Sequence, residues 1–173
     1  MELTKLFEVQ AGLKQHIGYK GKGKFPKMML AMLVEFMECA NDWRGFKYWS
    51  ENPNPKETLL EEYVDGLHFV LETGLDLKER QEIMFLPKRM LVDYENIVVK
   101  DKYIVMKYKK LVSVTLELEK IVQEGFDYVD YLYIELFENY LKLGYMLGFT
   151  EEQIEQAYMK KNEVNHQRQD NGY

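Results

Sequence analysis

Apolar residues recur at helical spacing along most of this chain, and the breaks between runs are short. Leu6, Phe7, Leu13 and Ile17 share one side of a segment at residues 3–17, with Gln10 in the same stripe where an apolar residue would be expected. Gly18, Gly21 and Gly23, interleaved with Lys20, Lys22 and Lys24, then interrupt the pattern and predict a flexible basic loop. The loop lacks the spacing and the terminal Lys-Ser/Thr of a P-loop.

Pro26 suits the first turn of a second helix running to residue 43. Its apolar residues (Met28, Met29, Leu30, Met32, Leu33, Val34, Phe36 and Met37) surround it almost completely, which predicts a helix buried in the middle of the fold. Asn52-Pro53-Asn54-Pro55 makes a turn, and a third helix follows at residues 56–72, ending near Gly74. Leu59, Leu60, Tyr63, Val64, Leu67, Val70 and Leu71 form its apolar side, opposite Glu61, Glu62, Asp65, His68 and Glu72. Residues 76–100, interrupted by Pro87, read as a short helix and a loop. Further helices are predicted at residues 101–123 and 128–147, and Thr150-Glu151-Glu152-Gln153 is a capping box that starts a last one. The pattern predicts an all-α bundle of about six helices in a single domain, residues 1–173, without repeats.

Composition narrows the function. A net charge of −6 excludes a general nucleic-acid footprint. The lone Cys39 lies in an apolar pattern and reads as a small core residue in a reducing compartment. No apolar run is long enough to cross a bilayer and no signal peptide is evident, so a cytoplasmic location without membrane association is expected.

Two acidic pairs stand out. Glu35 and Glu38 lie three apart on the second helix, and Glu62 and Asp65 repeat that spacing on the third, so each pair shares a helix face. If these helices pack antiparallel, four carboxylates converge, and their mutual repulsion calls for cations. Such oxygen ligands suit Mg²⁺ or Mn²⁺, which bridge phosphate oxygens and activate water. Taken alone, the third helix reads better as a solvated charged face. Two glutamates on an otherwise apolar helix are harder to explain that way. Spacing leaves the metal site and the bland reading level. At the C-terminus Lys161, Asn165 and Arg168 fall on one helical stripe with Asn162 beside them, a set able to hold an anionic, hydrogen-bonding ligand. By composition alone a fraying polar tail is the better account.

Sequence pattern tips these balances. Residues 161–173, KNEVNHQRQDNGY, closely resemble the KNxxNxxRQxxGY signature of the dimeric all-α dUTP diphosphatases, members of the helical MazG-like pyrophosphohydrolase group. Glu35-Phe36-Met37-Glu38 resembles the family's ExxE, and Glu62-Tyr63-Val64-Asp65 its ExxD. Phe46-Lys47-Tyr48-Trp49 resembles its Lys/Trp segment, and Asp65-Gly66-Leu67-His68-Phe69 its Asp-x-x-His-Phe run. The resemblance implies a MazG-like fold with a four-helix active-site core. It implies Glu35, Glu38, Glu62 and Asp65 as ligands of two or more Mg²⁺ ions, with Glu35 also the general base. It further implies Lys161, Asn162 and Arg168 as phosphate contacts, Asn165 as a nucleoside contact, Gln10 as reader of the uracil edge, and Lys47, Trp49 and His68 as pocket residues. The implied reaction is hydrolysis of dUTP to dUMP and pyrophosphate by attack on the β-phosphorus, extending to dUDP, in a homodimer that binds deoxyuridine nucleotides. Where relatives often carry an asparagine this chain has Lys14. A dCTP pyrophosphatase, a relaxed MazG-like enzyme and a non-catalytic nucleotide-binding protein therefore stay open as alternatives.

Overall fold

The computed structural model describes residues 1–172, and among these it contains six helices and no strands. They are α1 (Thr4–Ile17), α2 (Lys24–Trp43), α3 (Leu59–Glu79), α4 (Asp101–Glu124), α5 (Val129–Met146) and α6 (Glu151–Asp170). Several ends follow local chemistry. Gly18 caps α1 and Gly125 caps α4 in the left-handed conformation that glycine adopts without strain. Thr150 and Gln153 close the expected capping box at the start of α6.

Ion pairs fix how α2 and α3 run. Lys24, at the start of α2, meets Glu72 of α3 at 2.5 Å, while Asp42, near the other end of α2, receives Lys56 and Thr58 just ahead of α3. The two helices are therefore antiparallel, as the turn at residues 52–55 predicts. Arg44, itself in the left-handed region, donates to Ser50 Oγ (2.9 Å) and to the Asn52 carbonyl (2.8 Å), which ties down the connection. α3 also packs on α1, α5 and α6, α6 packs on α1, and α4 lies against α2 and α5. Helices α1, α3 and α6 thus pack on one another, α2 joins them through α3, and the α4–α5 hairpin lies against α2 and α3.

Three expectations fail, each for a tertiary reason. The third helix does not end at Gly74 but continues to Glu79. A Cβ at Gly74 would lie 2.1 Å from the Tyr133 hydroxyl oxygen, so this glycine is a notch for an α5 tyrosine and not a cap. The second helix is not buried all round: Leu30, Val34 and Met37 are 64%, 45% and 40% exposed, a stripe opposite Met29, Met32 and Phe36. Residues 80–100 contain no helix. Instead Leu3 N–H donates to the Lys88 carbonyl and Met90 N–H to that of Met1, joining this segment to the N-terminus by an isolated bridge. Cys39 is buried, as expected, beside the Tyr108 hydroxyl at 3.3 Å.

Stacked tyrosines hold α3 to α5. The Tyr63 and Tyr140 rings lie 4.7 Å apart and 7° from parallel. Each hydroxyl donates to the other residue's carbonyl, at 3.1 and 2.5 Å. Burying two large rings with their polar ends satisfied retains the hydrophobic gain without an orphaned hydroxyl. Gly66 and Gly144 make the room, since a Cβ at either would press on the facing tyrosine.

Candidate active site

Glu35 projects from α2 towards α3, where Glu62 and Asp65 share one face. A carboxylate oxygen from each of these three lies within 4.8 Å of the others. Two oxygens across an octahedral Mg²⁺ are about 4.2 Å apart, given Mg–O bonds of about 2.1 Å, so the cluster needs little adjustment to share a cation. All three side chains are half-buried. Burial raises the Glu35 pKa to about 7, helped by the charges of Asp65, Glu38 and Glu62. Burial likewise raises Glu62, with Asp42 adding to it, and raises Asp65. Hard oxygen donors that resist ionisation without a counter-charge are the donor set a hard divalent cation fits. Glu38 is exposed one turn along α2 and stands outside the tight triad, close enough to raise Glu35.

Lys161 of α6 faces the cluster. Its ammonium is 2.7 Å from Asp65 and 2.8 Å from the exposed Glu61, and the burial of Lys161 and Asp65 sets that pair apart from a surface bridge. The neighbouring Asn162 is buried with its Nδ2 unpartnered, a free donor beside the cluster's lysine. Asn165 is half-buried one turn further on. Arg168 is exposed, and its charge still lowers the pKa of Glu61 and opposes the rise at Asp65. The polar stripe of α6 therefore turns towards the acids.

Gln10 and His68 belong to a second, buried network. Gln10 is 3% exposed. Its Nε2 donates to Glu72 at 3.0 Å, while its Oε1 accepts from the Tyr158 hydroxyl at 2.6 Å and lies 2.9 Å from His68 Nδ1. An amide oxygen only accepts, so His68 Nδ1 carries the hydrogen and Nε2 presents a lone pair. That Nε2 is buried and unpartnered. Burial, reinforced by Lys161, lowers the His68 pKa to about 3 and keeps the ring neutral. Its face stacks on Tyr158 at 4.2 Å.

Lys47 and Trp49 sit in the turn beyond α2. The Lys47 ammonium is 5.6 Å from the Phe46 ring centre, and Trp49 is 64% exposed, edge-on to Phe46 and Tyr48. Lys24, expected in the basic loop, is the first residue of α2 and turns inward to Glu72 and Asp76. Sequence reasoning missed Glu61, Glu72, Tyr158 and Asp42. Glu72 reads as part of a solvated face by periodicity, and only the lysine and glutamine that reach it from α2 and α1 make it internal. Tyr173, the last residue of the signature, lies outside the described residues.

No helix among the described residues is long and apolar enough to cross a membrane. No curated protein matches the sequence. A family model described as dUTPase matches residues 2–173, virtually the whole chain. With its all-helical fold, clustered acids and facing lysine, the chain belongs to the all-α dUTPase family, generally metal-dependent hydrolases of the nucleoside triphosphate dUTP.

Proposed function

We propose that this chain, as one domain over residues 1–173, hydrolyses dUTP to dUMP and pyrophosphate with Mg²⁺ at Glu35, Glu62, Asp65 and the adjoining Glu38. The observation that carries this reading is the convergence of three half-buried carboxylates from two helices opposite Lys161 of a third. Two or more Mg²⁺ ions, or Mn²⁺ in their place, would offset the carboxylate charge and withdraw electron density from the phosphate oxygens. Lys161, the free amide of Asn162 and Arg168 hold the triphosphate, and Asn165 the nucleoside. Glu35 accepts a proton from the attacking water. The oxygen of that water bonds to the β-phosphorus, and the bond from this phosphorus to the α,β-bridging oxygen breaks. That oxygen leaves with dUMP. The same chemistry cleaves dUDP to dUMP and phosphate.

His68 supports uracil as the preferred base. Its Nε2 lone pair accepts from the N3–H of uracil, whereas cytosine presents a lone pair at that position. Gln10 reads the base through His68, because its oxygen fixes the histidine tautomer and Glu72 fixes the amide. Lys47 and Trp49 close the pocket edge. A homodimer, supported by the exposed apolar stripe of α2, and a cytoplasmic location complete the reading. The test is pyrophosphate release from a panel of NTPs and dNTPs, with Mg²⁺ and with chelator. Preferential, Mg²⁺-dependent turnover of dUTP is expected, and Glu35→Gln should abolish it while the helical circular dichroism persists. Equal turnover of dCTP would move the assignment to a relaxed enzyme.

A further inference from the structure

Away from the acidic cluster, His16 in the last turn of α1 meets His166 near the end of α6. Their Nδ1 atoms are 2.7 Å apart, the ring centres 4.9 Å apart and the planes 24° from parallel. The centre-to-centre separation exceeds the nitrogen separation by about the reach of the two rings. Edges therefore meet, not faces, and both Nδ1 atoms point along the same line. Two neutral imidazoles share such a contact only if one Nδ1 carries hydrogen and the other offers its lone pair.

Asp170 decides which. One turn beyond His166, its Oδ1 lies 3.2 Å from His16 Nε2, and a carboxylate at that distance favours the tautomer with hydrogen on Nε2. His16 Nδ1 is thereby left as a lone pair aimed at His166. An imidazole with one nitrogen held by a carboxylate and the other free is how histidine commonly ligates metals, because the carboxylate sets the tautomer and raises ligand basicity. His166 supplies a second nitrogen when its ring takes the other tautomer, giving up the hydrogen on Nδ1 to solvent and gaining one on Nε2.

We propose that His16 and His166, oriented by Asp170, bind a borderline divalent transition metal such as Zn²⁺ or Ni²⁺, fastening α1 to the end of α6. Imidazole suits these ions and not the hard Mg²⁺ of an oxygen cage. A tetrahedral Zn²⁺ with Zn–N bonds of about 2.0–2.1 Å holds two nitrogens roughly 3.3 Å apart, so the rings part and each swings by roughly 35° to turn its Nδ1 lone pair onto the ion. The pair lies at the surface, where water completes the coordination. This site shares no residue with the acidic cluster and does not depend on the nucleotide reading. Because Asn165 and Arg168 flank His166 on α6, an ion here would also stiffen the stretch of helix that carries them.

The chain contains three histidines, which makes the test direct. The full-length protein in excess Mg²⁺ is titrated with Zn²⁺ while the imidazole nitrogens are followed by NMR. The ring signals of His16 and His166 should shift together to saturation at one equivalent, and those of buried His68 should stay. In parallel, Ni²⁺ binding is measured calorimetrically on the Glu35→Gln/Asp65→Asn chain, where the acidic cluster is disabled. One equivalent should bind, weakened at least tenfold by His16→Ala or His166→Ala and by about tenfold for Asp170→Asn. No Ni²⁺ binding, or binding unchanged in both histidine variants, overturns the proposal. So does a Zn²⁺ response confined to His68.

Discussion

Lys161 of α6 reaches across to Asp65 of α3 at 2.7 Å, with its side chain only 9% exposed. This contact joins the polar stripe of the last helix to the carboxylates of the second and third. It places one fixed positive charge beside three groups that are reluctant to ionise together. Replacing Lys161 by Met should cost about 2 kcal/mol in chelator, the scale of a lost hydrogen bond to a charged group. Mg²⁺ should restore more stability to this variant than it adds to the parent, because a cation substitutes for the missing charge. Thermal melts with and without Mg²⁺ measure both terms. A loss of the same size in each condition would count against electrostatic coupling between Lys161 and the cluster.

The acidic cluster also sets a pH dependence. Glu35 titrates near 7 in the folded protein against 4.5 as its ordinary value, and Glu62 and Asp65 are displaced in the same direction. Between those limits the native state binds more protons than the unfolded one, so stability in chelator should fall as pH rises from about 4.5 to 7. Mg²⁺ should flatten this slope. His68 works the other way: with a folded pKa of about 3 against 6.5, it adds stability that is lost as pH falls below 6.5. Urea midpoints across this range, for the parent and for His68→Asn, separate the two contributions. The variant should show the steeper decline with rising pH.

Packing between α3 and α5 depends on Gly66 beside Asp65. A Cβ there would lie 2.3 Å from the Tyr140 hydroxyl oxygen and 3.1 Å from the ring carbon bearing it. Gly66→Ala should therefore destabilise by about 1–3 kcal/mol, the cost typical of overpacking a core. Removing the oxygen with Tyr140→Phe should recover much of that loss. Denaturant midpoints of the two single variants and the double variant form a cycle whose coupling should be negative. Additive losses would show that the glycine matters for some other reason.

The apolar stripe of α2 gives a prediction about assembly. Leu30 and Val34 sit one turn apart on an exposed face, and Met37 continues it towards a groove lined by Trp43, Phe46, Val105 and Val112. A contiguous apolar patch of this kind marks an interaction surface. Leu30→Lys/Val34→Lys should convert the proposed dimer to monomer in sedimentation velocity without loss of helical signal. An unchanged mass would place any dimer contact elsewhere.

Much of the local structure was legible because it depends on neighbours in sequence. The spacing of Glu35 with Glu38 and of Glu62 with Asp65 assigns each pair to a helix face, and the Thr150–Gln153 box marks where α6 begins. Residues 161–173 carry enough pattern to suggest the family. What periodicity could not decide was which polar residue ends up inside. Glu72 belongs by spacing to a solvated face, yet Lys24 and Gln10 meet it from 48 and 62 residues away. Gln10 itself interrupts an apolar stripe because His68 and Tyr158 converge on its oxygen. Gly74 has the place of a helix end, but Tyr133, 59 positions later by the numbering, needs the space its missing side chain leaves. The apolar wrap of α2 reads as full burial, since a sequence records that a face is hydrophobic and not what covers it. Local hydrogen bonding and helix geometry are encoded residue by residue. Burial, charge convergence and histidine tautomer arise only when distant helices pack together.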